Sequence, residues 1–325
     1  MEKNCAMRIH SRRVRFAAFI LLLFVIMKSL SACVDMVIIK KPSLVTGRLD
    51  IIAGVMHEPA DTLDLLIVGD SEAYSSVSPM VLWKNNGIAS YLISLPGQQI
   101  SEAYEGLLDA LDTQQPKMVL VETNMFFRAP SAAVDKAGLL YTTVNRIFPI
   151  IQFHDLWKQA GKIHTSPSVN SYKGFTIRNV VSAYKGDTNY METNKLSTGI
   201  SDHVRNYVQR MVDICKRKGI TVVFYTAPSP VNCSQGRHDS VAAFVKGFGV
   251  EYLDLNYKIS EIGISWQTDT RDQGDHLNFT GAVKTTRYLS GQLKAYHLPD
   301  HRNETTYQAW NDLEKKYSSE TPAVP

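Results

Sequence analysis

Leu63-Asp-Leu-Leu-Ile-Val-Gly-Asp-Ser71 is the stretch on which the fold turns. A short apolar run that ends in glycine reads as a strand buried on both faces. Gly69-Asp70-Ser71 then places a serine at a strand-to-helix turn, exposed at the top of a sheet. The glycine lets the chain turn sharply, and the turn can offer the Ser71 amide to an oxyanion. By itself Gly-Asp-Ser is also what an ordinary turn with a capping serine looks like.

Downstream, the same pattern repeats. Ser78-Pro79 opens a helix through Lys84, with proline in its first turn. Ala89–Ser94 is a second strand, Ile100–Leu111 carries apolar residues at helical spacing, and Lys117–Glu122 is a third strand. Asp202–Lys218 is an amphipathic helix with Val204, Tyr207, Val208, Met211 and Cys215 in one stripe, stopped by Gly219. Ile220–Tyr225 and Glu251–Asp254 are strands four and five, with a helix over His238–Phe248 between them and another over Thr280–Leu293 after them. Strands alternating with crossover helices predict a three-layer α/β/α domain around a mostly parallel sheet. In such folds the chemistry belongs at the carboxyl ends of the strands.

Chemistry-bearing residues fall there. Ser94-Leu-Pro-Gly97 follows strand two and offers a glycine amide. Glu122-Thr-Asn124 follows strand three and offers a side-chain amide. Asp272-Gln-Gly-Asp275-His276-Leu-Asn278 precedes the last helix and offers an imidazole flanked by two carboxylates. Histidine is the natural general base at neutral pH, and a carboxylate can fix its tautomer. Each block alone also fits a plain turn, a cap or a surface histidine.

Taken in order, serine, glycine, asparagine and histidine resemble the four motif blocks of the SGNH (GDSL-type) hydrolase superfamily, over roughly residues 63–295. The resemblance implies a flavodoxin-like SGNH fold, with Ser71 as nucleophile and His276 as base. Ser71 and Gly97 amides and the Asn124 side chain would form the oxyanion hole. The acid departs from the family pattern, because Gln273 stands three residues before the histidine. Asp272 is the preferred orienter, reaching the ring if Gly274 allows a local bulge. Asp275 is the reserve, since adjacent side chains on an extended segment point apart. Without either contact the site would be a dyad.

The N-terminus carries the charge. Residues 1–15 hold Lys3, Arg8, Arg12, Arg13 and Arg15 against Glu2, so their +4 equals the net charge of the whole chain. The domain is therefore neutral overall, which argues against nucleic acid as a partner. Phe16–Ile39 is then apolar but for Lys28 and Asp35, and at about 1.5 Å per residue it is long enough to span a bilayer. An uncleaved signal anchor with the domain on the extracytoplasmic side is preferred, by the positive-inside rule. A cleaved signal peptide and a lipoprotein signal ending Leu30-Ser-Ala-Cys33 are the alternatives. Four cysteines suit no disulfide scaffold or zinc pattern; outside the cytoplasm Cys215 and Cys233 could form a disulfide, and two unpaired thiols are the preferred reading. No glycine-rich phosphate loop or His/Cys cluster suggests a cofactor or metal.

Residues 1–40 thus form a stub and anchor, 41–297 a catalytic domain with an insertion at about 125–200, and 298–325 a polar tail with a short docked helix. The insertion is rich in aromatic residues and reads as a helical cap. With an anchor, the resemblance narrows to extracytoplasmic SGNH proteins of bacterial envelope polymer O-acylation. It implies a serine-dependent esterase or O-acyltransferase, acetyl by preference, acting on a carbohydrate polymer beside a polytopic membrane acyltransferase. The competing function is a non-catalytic SGNH-like module that binds the polymer or scaffolds a membrane acylation complex.

Overall fold

The structure is a computed structural model and describes residues 2–40, 54–128, 144, 146–153 and 172–324. The chain divides into two compact units, Met1–Thr46 with Ala133–Thr165, and Gly47–Ala132 with Ser166–Pro325.

The first unit is built on one long helix, α1 (Glu2–Lys40). Arg12–Val37 is long and apolar enough to cross a membrane, and its Phe16, Leu21 and Val25 side chains are exposed. Lys28 Nζ donates to the Ile147 carbonyl at 3.0 Å.

In the second unit five strands form one parallel sheet in the order β2-β1-β3-β4-β5. They are β1 (Leu65–Gly69), β2 (Ser90–Ser94), β3 (Met118–Glu122), β4 (Thr221–Thr226) and β5 (Glu251–Asp254). β1, β2 and β3 are buried along their whole length, which is why their sequences read as continuous apolar runs rather than alternating ones. The register pairs Leu65 with Ser90 on one side and with Met118 on the other.

Between β1 and β2 lie α2 (Ser71–Ser76) and α3 (Pro79–Asn86). The longer helices follow in sequence: α4 (Ile100–Leu111) after β2, α7 (Asp202–Arg217) before β4, α8 (Gln235–Lys246) after β4 and α10 (Phe279–Leu293). α4 packs on β1, β2 and α7, and the Arg205 guanidinium of α7 lies over the Phe244 ring of α8. On the other side α3 packs against β2, and α10 against α3. The sheet is thus sandwiched between two helical layers, as the alternating sequence predicts.

The C-terminal segment is part of this unit. α11 (Gln308–Glu320) buries Trp310 and Tyr317. Trp310 packs on Trp83 at 5.1 Å between ring centroids, and the Tyr317 hydroxyl hydrogen-bonds Ser78 at 3.0 Å.

Of the cap expected at about 125–200, residues 129–143, 145 and 154–171 lie outside the described residues. The described parts hold a 3₁₀ turn (Asn124–Phe127) and two single helical turns, α5 (Pro149–Gln152) and α6 (Tyr190–Thr193). Residues 172–189 form no helix. Phe126, Tyr172, Phe175 and Tyr190 are buried, so these aromatics serve packing rather than an open ligand face.

Candidate active site

Strand order reverses at β1, which has β2 on one side and β3 on the other. The crevice at such a reversal, beyond the strands' carboxyl ends, is where open α/β sheets bind ligands. The Gly69-Asp70-Ser71 turn follows β1 and the Glu122-Thr123-Asn124 turn follows β3, so both face that crevice.

Gly69 is forced by space. A Cβ there would lie 2.6 Å from the Glu122 Cβ and 2.8 Å from that of Ala73. Asp70 caps α2, its Oδ1 accepting from the Glu72 amide at 2.9 Å. Ser71 is therefore the first residue of α2, but it is buried at 7% exposure rather than exposed as its turn predicts, because α2 packs on β1, β2 and β7. Its amide belongs to the first turn, where helix N–H groups have no intrahelical acceptor.

The other Asp70 oxygen gathers two donors. Asn124 Nδ2 reaches Oδ2 at 3.0 Å, and Arg128 Nε reaches it at 2.8 Å. Of the two amide hydrogens of Asn124, one thus points to Asp70 and one remains for another acceptor. Gly97 follows β2 with φ +59°, and the Arg128 guanidinium lies 3.7 Å from where its Cβ would be. Asp70 and Arg128 hold this corner together. Arg128 carries no motif, and only the fold brings it to the Gly69-Asp70-Ser71 turn.

His276 lies on β7 (His276–Leu277), paired antiparallel with β6 (Thr270–Arg271). Between them Asp272, Gln273 and Gly274 have φ of +55°, +58° and +96°, three consecutive residues in the left-handed region. This turn swings Asp272 back toward the ring, and its Oδ2 lies 3.1 Å from His276 Nδ1. Asp275 Oδ2 lies at 3.4 Å from the same nitrogen. Both carboxylates thus face Nδ1, with Asp272 the closer, which leaves Nε2 for proton transfer. Gly274 cannot change cheaply, since a Cβ would meet Pro230 and the Tyr184 ring at 2.8 Å.

Two ties bind this loop to α2, which also packs directly on β7. Arg271 donates from one guanidinium nitrogen to Ser75 Oγ at 2.7 Å and from another to Asp272 Oδ2 at 3.0 Å. Asn232 Nδ2 donates to Glu72 Oε1 at 2.6 Å and to Asp275 Oδ1 at 2.7 Å. Asn232 lies in the loop after β4, far from both in sequence, and no local pattern marks it.

Electrostatics separate the groups. Burial pushes the His276 pKa below its ordinary value, although Asp275 and Asp272 oppose the shift, and this favours the neutral ring. Burial drives Glu72 well above the usual carboxyl range, helped by Glu122 and Asp70. Glu122 is raised by its own burial and by Asp70. Donor atoms of Glu72, Asp275 and His276 lie within 4.8 Å of one another, close enough to share an ion. In this structure the Asn232 amide bridges the two carboxyls of that group. Beside Asn124 a narrow crevice, with room for about one water, lies between Glu72, Asn232, Ser229 and Arg237; Ser71 and His276 do not line it.

No protein-family model matches the chain, and no curated protein does. Solved structures do. The chain is similar to GDSL-like lipases and esterases. The psychrotrophic esterase EstA from Pseudoalteromonas sp. shares 11% identity at a TM-score of 0.39, over 71% of this chain and 97% of that one. A GDSL-like lipase from Bacteroides thetaiotaomicron shares 9% at 0.34, over 71% and 86%. The acetyl xylan esterase Est2A from Butyrivibrio proteoclasticus shares 10% at 0.33, over 73% and 64%.

Proposed function

We propose that the chain is a serine-dependent O-acyl esterase or transferase, acetyl by preference, acting on a cell-envelope or exported polysaccharide. The observation that carries this reading is the imidazole of His276. It is held through Nδ1 by Asp272 and fixed on a loop tied to the helix that begins with Ser71.

The step runs as acyl transfer. Ser71 Oγ attacks the acyl carbonyl and its proton passes to His276 Nε2. The oxyanion is met by the Ser71 and Gly97 amides and the free N–H of Asn124. Collapse expels the sugar alcohol, which takes the proton from His276 and leaves the acyl group on Ser71. Water or a second sugar hydroxyl then gives a proton to His276 and attacks the acyl carbon, and Ser71 Oγ leaves with that proton from His276. Which acceptor wins decides between esterase and transferase. The apolar α1 suits a protein anchored on the extracytoplasmic face, beside a polytopic membrane acyltransferase that would supply acyl groups.

The test is 4-nitrophenyl acetate hydrolysis by the full chain in detergent, beside Ser71→Ala and His276→Ala. Release above background that disappears in both variants supports the reading, and acylated product on added oligosaccharide then identifies transfer. Equal release in all three proteins would replace catalysis with a non-catalytic polymer-binding or scaffolding role.

A further inference from the structure

The amide of Asn232 stands between the immediate neighbours of Ser71 and His276. Glu72 follows the serine, and Asp275 precedes the histidine. A single nitrogen, Asn232 Nδ2, donates to Glu72 Oε1 at 2.6 Å and to Asp275 Oδ1 at 2.7 Å. An amide nitrogen carries two hydrogens, so one goes to each carboxyl and both are spent.

The surrounding loop holds the side chain to this task. The Asn232 N–H donates to Ser229 Oγ at 3.2 Å, and its carbonyl accepts from Arg237 at 2.8 Å. Asn194 fastens the flanking residues, donating to the Pro230 and Cys233 carbonyls at 2.8 and 3.0 Å. Ser229 Oγ lies 3.1 Å from the Asp275 carbonyl, so the loop after β4 meets the His276 loop through main chain as well as side chain.

Both ends of the bridge matter. With Oδ1 of Asp275 held by Asn232, its Oδ2 is the oxygen that faces His276 Nδ1 at 3.4 Å. At the other end Glu72 is 1% exposed, and its Oε2 has no hydrogen-bond partner among the described residues. Loss of Asn232 would leave that buried carboxyl without a donor. Shape alone does not call for asparagine. Aspartate has the same size but would set three carboxyls side by side.

On the acyl-transfer reading of Ser71 and His276, we infer that Asn232 is a positioning residue. Its amide is a neutral strut that fixes the gap the Ser71 proton crosses and turns Asp275 toward the ring. The charged groups around that ring are Asp272, Asp275 and Arg271, with Glu72 on α2 beyond them. Burial lowers the proton affinity of the ring, the two aspartates raise it and Arg271 lowers it. Without the strut Asp275, whose side chain is 42% exposed, is free to turn to solvent, and the ring loses that support. A carboxylate in place of the amide adds negative charge beside the ring instead.

The test measures 4-nitrophenyl acetate hydrolysis across pH 5–9 by the full chain in detergent, beside Asn232→Ala and Asn232→Asp, with folding followed by circular dichroism. Both variants should lower kcat by about tenfold or more at unchanged KM, since a misplacement of about 1 Å can cost about 10²-fold. The acid limb of kcat/KM should move to lower pH in Asn232→Ala and to higher pH in Asn232→Asp. A folded variant with wild-type kcat and acid limb would overturn the strut and leave Asn232 a packing residue. So would an acid limb that stays in place while kcat falls together with the melting temperature. If only one variant folds, the direction of its limb decides. Wild-type release that survives Ser71→Ala would remove the acyl-transfer reading, and the strut with it.

Discussion

Asp272 and Asp275 are close to the same nitrogen of His276, at 3.1 and 3.4 Å, but do different things. Asp275 is also held by Asn232, while Asp272 shares its oxygen between the ring and Arg271. Asp272→Asn should therefore lower kcat by more than about tenfold with KM little changed, and Asp275→Asn by less. Steady-state kinetics on 4-nitrophenyl acetate check this against the 10²–10⁴-fold range usual for positioned acid–base groups. The same imidazole sets a pH limb. Because burial lowers its affinity for protons, the acid limb of kcat/KM should fall below the ordinary histidine midpoint of 6.5, and a pH–rate profile reads it directly. Much of this site was legible in the chain, because serine, glycine, asparagine and histidine each sit beside a strand end or helix start that local pattern reveals. The sequence also favours Asp272 over Asp275, through Gly274, and Asp272 is the closer to Nδ1; the backbone behind that choice is not legible. That backbone is left-handed at Asp272 and Gln273, residues with no strong preference for it. Arg128 and Asn232 were invisible for another reason: they reach the site across 58 and 160 residues of chain, to Asp70 and Glu72.

The elements are legible to different degrees. α4 and β5 span the residues the sequence predicts, and the other long helices and strands shift by a few residues at their ends, where caps rather than periodicity decide. The C-terminal helix was harder to weigh, because a polar tail with few apolar residues gives little sign of how firmly it docks. Trp310 and Tyr317 make α11 part of the core: Trp310 packs on Trp83 with its ring tilted, and the Lys173 ammonium lies 4.5 Å over its ring. Trp310→Ala should cost about 3–5 kcal/mol, the usual range for removing a buried aromatic, and denaturant unfolding followed by circular dichroism measures it. A core residue of β1 should be comparably sensitive, with Leu66→Ala costing about 2–5 kcal/mol in the same assay.

For the molecule as a whole, buried titratable groups pull stability in opposite directions. Glu72 binds its proton more tightly folded than unfolded, so its contribution is complete below about 4.5 and is lost as pH rises through the folded value. His276 binds its proton less tightly when folded, so stability falls as pH drops below 6.5. Glu72→Gln should flatten the alkaline decline and leave the acid one, as thermal melts across pH 5–9 would show. The pairing of Lys28 with Ile147 has a consequence of another kind, in time rather than space. The two residues are 119 positions apart, so at 5–20 residues per second the ribosome needs roughly 6–24 s to make the second after the first. On the anchor reading, the span enters the membrane long before its lysine has a partner. During that interval the ammonium must reach for the headgroups, and the anchor settles to its final depth only after the middle of the chain has been exported.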